Sequence, residues 1–272
     1  MELENELNGK LNEIKKPPGY VSKREEIDEL ESLGEIPNIF VYNPLEYAAE
    51  IRLDYLRKCL NERKKILFVG MNPAADASLQ TGIPLCTRDI INNHLSLTGN
   101  VKNPPRLYPR ITITGLNNEE NDNESSIRFW KLIKELFKDC EDFVDRFFQQ
   151  CFIHNFCPLV YIGGRYWMNG KWNGRNVSME KLIQKSEDSY AKEVEAACLN
   201  SMDKQVNLLQ PDIIICIGAY VYNMLSELKG CENKLILIPP LSPKQIPDSS
   251  EWVKLSKYVL AEHKVFSEEK LN

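Results

Sequence analysis

Four short runs of apolar residues separate the helical patterns of this chain, and they restrict its fold more than any other feature. The runs are KILFVG (65–70), CFIHNFCP (151–158), DIIICIG (212–218) and KLILIP (234–239). Continuous apolar runs rich in β-branched residues are typical of strands that are buried on both faces. Because helical patterns lie between these runs, the sequence predicts a three-layer α/β/α fold with a central, mainly parallel, four-stranded sheet.

The remaining chain divides into helices, a tail and an insert. Helical periodicity is present at 43–60, 126–140, 190–210, 219–230 and 250–263. Residues 1–35 are charged and are interrupted by Pro17 and Pro18, so we expect an acidic, mobile tail followed by a short helix. Residues 36–266 are predicted to form a single domain. The stretch NNEENDNESS (117–126) is predicted to be a surface insert within it.

Composition excludes several classes of protein. No apolar run approaches the roughly 20 residues that cross a bilayer, and the acidic N-terminus lacks a signal-peptide core, so we expect an intracellular protein without a membrane partner. The eight cysteines contain no C-x-x-C pair, which disfavours a zinc or iron–sulfur site and suits a reducing compartment.

The net charge of −5 arises in the tail and the insert, whereas residues 90–118 and 160–179 contain bases and no acids. These two loops suit either phosphate contacts or solvated surface.

Polar or small residues follow each predicted strand. Asn72 comes two residues after the first run, Asn155 lies within the second, Gly218 ends the third, and PPLSPKQIP (239–247) follows the fourth. In parallel α/β sheets, ligands bind at the carboxyl ends of the strands. We therefore expect these segments to converge on one site.

Three motifs carry a resemblance to a known family. They are GMNPAADASLQTGIP (70–84), FIHNFCPL (152–159) and SPKQIPDSSEW (242–252), and RFWKLI (128–133) and GRNVS (174–178) also match. In this order and spacing, from about residue 35 to 265, the chain resembles the single-strand-selective monofunctional uracil-DNA glycosylases. The resemblance implies a DNA repair enzyme that flips a uracil, or a 5-modified uracil, out of the base stack. It also implies a nuclear, monomeric protein that needs no cofactor and has DNA as its partner.

The resemblance assigns roles to individual residues. Asn72 matches the catalytic residue that positions the attacking water, and Asn155 matches the residue that reads uracil. Ser242, Pro243 and Lys244 match the loop that presses into the duplex. The base pocket is expected to include Met71, Ala74, Gly82 and Leu85 beside Asn155. Arg165, Lys171 and Arg175 lie in a loop rich in Trp and Tyr, which suits either contacts to DNA or a lid packed on the protein.

The chain departs from the family pattern at three positions. Pro240 stands where the family has the histidine that stabilises the departing base, and proline has neither a side-chain donor nor an N–H. Ala74 replaces a glycine, and Leu85 replaces an aromatic residue that stacks on the base. Ser242, Lys244 or His94 remain as alternative donors. His154 is expected to face away from Asn155, since alternate strand residues point to opposite faces.

Three functions follow from these patterns. The first is a uracil-DNA glycosylase without lyase activity, because no lysine of the motifs matches a Schiff-base nucleophile. The second is a damaged-base binder that has lost or weakened hydrolysis, which Pro240 motivates. The third is an unrelated doubly wound enzyme acting on a small nucleotide, which no G-x-G-x-x-G or phosphate-binding loop supports.

Overall fold

A computed structural model describes residues 1–33, 38–74, 77–108, 111–117, 122–137, 141–163, 167–168, 171–172, 175–185 and 189–266. The helices are α1 (Glu2–Glu13), α2 (Arg24–Ser32), α3 (Pro44–Tyr47), α4 (Ala49–Cys59), α5 (Ala77–Thr81), α6 (Glu124–Leu136), α7 (Phe143–Gln150), α8 (Met179–Lys185), α9 (Ser189–Leu209), α10 (Ala219–Ser226) and α11 (Ser249–Glu262). The strands are β1 (Tyr20–Val21), β2 (Ile39–Tyr42), β3 (Ile66–Gly70), β4 (Cys151–Asn155), β5 (Val160–Gly163), β6 (Trp167–Met168), β7 (Lys171–Trp172), β8 (Arg175–Val177), β9 (Ile213–Ile217) and β10 (Leu235–Ile238).

The four apolar runs form one parallel sheet in the order β10-β9-β3-β4. All five residues of β3 and of β4 are buried, as expected for strands covered on both faces. The predicted central sheet and its strand direction are confirmed.

Helices cover both faces of this sheet. On one face, the Phe68 ring of β3 contacts Phe129 of α6 and Phe147 of α7, with ring centroids 5.5 and 5.6 Å apart. On the other face, Phe152 of β4 stacks on Tyr55 of α4 at 5.3 Å. The three-layer α/β/α prediction is therefore confirmed, and the face that carries Phe68 also carries Gly70 and Asn155.

A second sheet was not foreseen from the sequence. Its order is β1-β2-β5-β8, and it is mixed, since β1 and β2 are parallel whereas β2–β5 and β5–β8 are antiparallel. Its strands are short, such as IFVY at β2, and they adjoin residues that are typical of turns and helices. The sequence pattern therefore does not identify them as strands. The predicted helix at 43–60 is also divided into α3 and α4 around Ala48.

The N-terminal residues differ from the predicted mobile tail. Residues 2–13 form helix α1, which packs against α9 and buries Leu7 and Leu11 in the core. The Glu4 carboxylate forms an ion pair with the buried Arg52 guanidinium of α4. The expectation of a mobile tail was wrong. The segment is mostly charged, and its packing against α9 depends on only two apolar residues, which are four positions apart on one face of the helix. No described helix has the length and apolar character needed to span a membrane.

Candidate active site

The carboxyl ends of β3 and β4 lie side by side. Gly70 pairs with Asn155 in the parallel register, and the chain continues this pairing beyond the strands. The Phe156 N–H donates to the Gly70 carbonyl at 2.7 Å, and the Cys157 N–H donates to the Met71 carbonyl at 2.8 Å. These bonds fix the segment before Asn72 against the segment after Asn155, so the two asparagines are held at one edge of the sheet.

Both asparagines line a cavity of about 180 Å³. This volume lies below the roughly 300–1,000 Å³ of sites for drug-sized ligands and suits a single ring. The lining residues come from β3, β4, β9, the loops after β3, α5 and β10, and the starts of α5, α6 and α8. They are Gly70, Met71, Asn72, Pro73, Ala74, Ser78, Leu85, Asn123, Ser125, Ser126, Asn155, Ser178, Ile217, Pro240, Leu241 and Ser242.

The Asn155 side chain is buried without a complete set of partners. Asn155 is 4 % exposed, and its Oδ1 has no hydrogen-bond partner among the described residues. The position opposite is Gly70, where a Cβ atom would lie only 2.7 Å from this oxygen. An unpaired buried carbonyl costs about 1–3 kcal/mol. The site is therefore built to receive a donor from a ligand.

The Asn72 side chain is held from two sides. Its Nδ2 donates to the Pro73 carbonyl at 3.1 Å, and its Oδ1 accepts from the Met179 N–H, the first residue of α8, at 3.2 Å. An amide oxygen has two lone pairs, so one stays available for a further donor such as water. Asn72 can therefore orient a water molecule, but an amide cannot remove a proton from it.

Leu85 lines the cavity in a strained backbone conformation. Its φ is +52°, a region that costs a non-glycine residue about 1–3 kcal/mol. The indole N–H of Trp130 in α6 donates to the Leu85 carbonyl at 2.9 Å. This bond holds the leucine side chain beside Gly70, where the family pattern has an aromatic residue.

The loop after β10 forms another wall. Pro240, Leu241 and Ser242 line the cavity, while Pro243 and Lys244 are exposed next to it. The indole N–H of Trp252 lies 3.1 Å from both the Pro239 and Pro240 carbonyl oxygens. The proline therefore stands at the site itself, and position 240 supplies no hydrogen-bond donor to it.

None of the three histidines, all of which are described, lines the cavity. His154 lies on the opposite face of β4, in a second cavity with Phe152 and the start of α1. Burial is the main cause that lowers the pKa of His154 to about 4, and the positive charge of Arg52 lowers it further. His94 lies outside, with its Nε2 3.6 Å from Asp89 Oδ2 and its ring against Phe143. The expectation that His154 faces away from Asn155 is confirmed.

Two predictions about the pocket need correction. Gly82 does not line the cavity: it has a φ of +71°, its carbonyl accepts from Arg52, and a Cβ atom there would lie 2.8 Å from Arg52 Cδ. The predicted surface insert at 117–126 is wrong for its last residues, because Asn123, Ser125 and Ser126 line the cavity. An N-cap asparagine before an apolar period was the sequence signal for a helix start here.

The other predicted positions are divided between the cavity and undescribed regions. Met71 and Ala74 line the cavity beside the two asparagines. Arg165 and the side chains of Lys171 and Arg175 lie outside the described residues, so the predicted DNA contacts of that loop stay predictions. In the described part of the chain, no three His, Cys, Asp or Glu side chains cluster as metal ligands would.

Comparison with known proteins places this chain in a family. A sequence model described as "Uracil DNA glycosylase superfamily" matches residues 58–261. The chain is 32 % identical over 193 residues to the single-strand selective monofunctional uracil DNA glycosylase of Bos taurus, covering 70 % of this chain and 64 % of that protein. It is 29 % identical over 178 residues to the Rattus norvegicus protein of the same description, covering 65 % of this chain and 58 % of that protein. The match therefore spans less than two thirds of these relatives' lengths.

A solved structure gives the same fold. The crystal structure of Pedobacter heparinus SMUG2 superposes with a TM-score of 0.57 at 16 % identity, and the match covers 97 % of both chains.

Proposed function

The chain belongs to the uracil DNA glycosylase superfamily, and from this premise we propose that it hydrolyses the N-glycosidic bond of uracil, or of a 5-modified uracil, in single- or double-stranded DNA. One observation carries the proposal: Asn72 and Asn155 line a single cavity of about 180 Å³ at the ends of adjacent parallel strands. The target nucleotide enters this cavity after it is flipped out of the base stack.

Recognition of the base falls to Asn155. Uracil presents a donor, N3–H, next to an acceptor, O4, and a side-chain amide offers the complementary pair. The unpaired Oδ1 accepts from N3–H while Nδ2 donates to O4. Cytosine reverses both groups, so it would leave buried partners unsatisfied at about 1–3 kcal/mol each. Asn155 thereby selects uracil.

Hydrolysis follows a dissociative path in which Asn72 places the water. The C1′–N1 bond breaks first, its electron pair leaves with the base, and the sugar becomes an oxocarbenium ion. The water held by the Asn72 Oδ1 then adds to C1′, and its proton passes to solvent or to the departed base. Positioning alone is effective at so strong an electrophile. No lysine is among the described residues that line the cavity, so we propose base removal without strand cleavage.

The exposed loop beside the cavity is proposed to contact DNA. Ser242 lines the cavity, and Pro243 and Lys244 project next to it. A proline wedge fills the space of the flipped base, and the lysine ammonium neutralises a phosphate. We further propose that the protein acts as a nuclear monomer, which light scattering of the purified protein and imaging of a tagged protein would test.

Single-turnover release of base from a uracil oligonucleotide tests the function. The wild-type protein should release uracil, whereas Asn72→Ala should lose at least about 10²-fold of the rate through loss of water placement. Asn155→Ala should lower release of uracil by about 10- to 100-fold, to a rate that is still measurable, and reduce the preference for uracil over cytosine. Asn223→Ala, an exposed asparagine of α10, is the matched control and should retain the wild-type rate. Equal rates for Asn72→Ala and wild type would contradict the proposal.

Pro240 supports a second candidate, a damaged-base binder with weakened hydrolysis, since position 240 lines the cavity without a donor. A gel shift on the same uracil strand distinguishes the two. Tight, uracil-dependent binding by a wild-type protein that releases no base would favour the binder.

A further inference from the structure

The N-terminus of helix α6 ends at the cavity. Asn123, Ser125 and Ser126 all line it, and the helix that begins there runs to Leu136. The Asn123 Oδ1 caps the helix by accepting from the Ser126 N–H at 2.8 Å. The first N–H groups of a helix lack intrahelical partners, and the macrodipole places partial positive charge at this end. The Ser125 hydroxyl has no hydrogen-bond partner in the described part of the chain.

Helix α6 is fixed to two other walls of the cavity. The buried Arg128 donates from Nη1 to the Ile246 carbonyl at 2.6 Å and from Nη2 to the Pro247 carbonyl, in the segment that leads from the Pro240–Ser242 wall into α11. Two residues further along the helix, the indole N–H of Trp130 donates to the Leu85 carbonyl. The helix end therefore has a set position relative to the bound base, as a preorganised electrostatic group requires.

A separate observation shows that this cavity is built for a ligand. The Asn155 side chain, on a residue only 4 % exposed, lines the same cavity, and its buried Oδ1 has no partner among the described residues. A pyrimidine that donates its N3–H to this oxygen becomes an anion when the glycosidic bond breaks. On the wall from the loop after β10, Pro240 and Leu241 offer no side-chain donor to that anion, and the hydroxyl of Ser242 is the donor that this wall carries.

We propose that the N-terminus of α6, through the hydroxyl and the backbone N–H of Ser125, binds the pyrimidine anion as it leaves the sugar. This inference rests on the proposed function and names the group that stabilises its leaving base. Glu124 does not cancel the effect, because its Oε1 accepts from Arg128 Nε at 3.0 Å and shares that positive charge. Ser125 is thus a catalytic residue that sequence reasoning assigned to a surface insert.

Leaving-group dependence tests the inference in the full chain. Ser125→Ala should lower single-turnover release of uracil by about 10- to 100-fold, the effect of one hydrogen bond to a charged group. Release of 5-fluorouracil, whose anion is more stable, should fall by a smaller factor. Ser32→Ala is the control: Ser32 is an exposed serine of α2 that bonds locally to the Glu29 carbonyl and does not line the cavity, so both rates should stay at the wild-type value.

Rescue separates chemistry from folding. Pro240→His places an imidazole donor on the facing wall, and in the Ser125→Ala background it should restore most of the lost rate on uracil. Wild-type rates for Ser125→Ala, an equal loss on uracil and 5-fluorouracil, or no rescue by Pro240→His would each overturn the inference.

Binding of a free pyrimidine anion decides the inference apart from hydrolysis. 5-Nitrouracil ionises readily, and calorimetry above and below its ionisation compares the anion with the neutral base. Ser125→Ala should weaken binding of the anion about tenfold or more and leave that of the neutral base unchanged. Equal affinities of wild type and Ser125→Ala for the anion would overturn the inference. A wild-type protein that binds this anion through Ser125 but releases no base would instead contradict the proposed hydrolysis.

Discussion

Gly70→Ala should disable the site without unfolding the protein. A Cβ atom at position 70 would lie 2.7 Å from Asn155 Oδ1, whereas ordinary contacts begin near 3.4 Å. The amide must therefore move by roughly 0.7 Å, and misplacement on the order of 1 Å can cost about 10²-fold in rate. We expect uracil release to fall between about 10- and 100-fold.

Stability should change little in this variant. Gly70 does not have a positive φ, so alanine fits its backbone, and the next atom that the new Cβ meets is Leu85 Cδ1 at 3.8 Å. Alanine in a compatible conformation stabilises by about 0.4–1 kcal/mol through the unfolded state, which offsets part of the displacement. Single-turnover base release and thermal unfolding by circular dichroism measure the two effects separately.

The double variant Gly70→Ala/Asn155→Ala provides the decisive comparison. Asn155→Ala removes the oxygen that the new methyl group meets, so adding Gly70→Ala to it should cost no further rate. Interacting neighbours show such non-additivity, whereas independent sites give additive effects. Wild-type activity of Gly70→Ala, or the same loss in both backgrounds, would refute the steric argument.

Three further predictions concern the rest of the fold. Burial, followed by the charge of Arg52, lowers the pKa of His154 to about 4, so the unfolded chain binds more protons between about pH 4 and 6.5. The free energy of unfolding, measured in urea titrations, should therefore fall by about 2 kcal/mol from pH 7 to pH 5. His154→Asn should flatten this pH dependence, whereas His263→Asn, at an exposed site, should leave it unchanged. Arg52→Met leaves the Glu4 carboxylate buried without its partner and should cost about 3–5 kcal/mol, and adding Glu4→Gln should recover part of this loss. Lys244→Ala should weaken binding to uracil- and thymine-containing strands equally and reduce the salt slope by about 1; a selective loss on uracil strands would argue against a phosphate contact.

The sequence was sufficient to predict the central sheet and its edge. Continuous apolar runs cannot be placed on a half-exposed sheet, so β3 and β4 had to be buried and parallel. Once that is given, Asn72 and Asn155 fall at the same edge, because parallel strands end together. Local pattern and global fold agree at these residues, which is why the inference succeeded.

Residues that act through distant contacts were not predictable in this way. Ser125 lies in a stretch rich in asparagine and acids, and contacts to residues far along the chain, such as the bonds from Arg128 to the Ile246 and Pro247 carbonyls, fix its helix end at the cavity. Leu7 in α1 is likewise surrounded by charges, and its burial depends on α9, about 190 residues later in the chain. Neither partner is visible in a local window of sequence.

The site therefore divides into two parts with different sources of rigidity. Strand pairing fixes Asn155 and the segment before Asn72, whereas helix α6 fixes Leu85 through Trp130 and the segment beyond the Pro240 wall through Arg128. A rigid helix that contacts the cavity with its own end moves all three features together. A change that tilts α6 should then alter the position of Leu85, the loop beyond Pro240 and the proposed leaving-group stabilisation at once, whereas the proposed hydrogen bonds of Asn155 to the base depend on the sheet that carries Asn155.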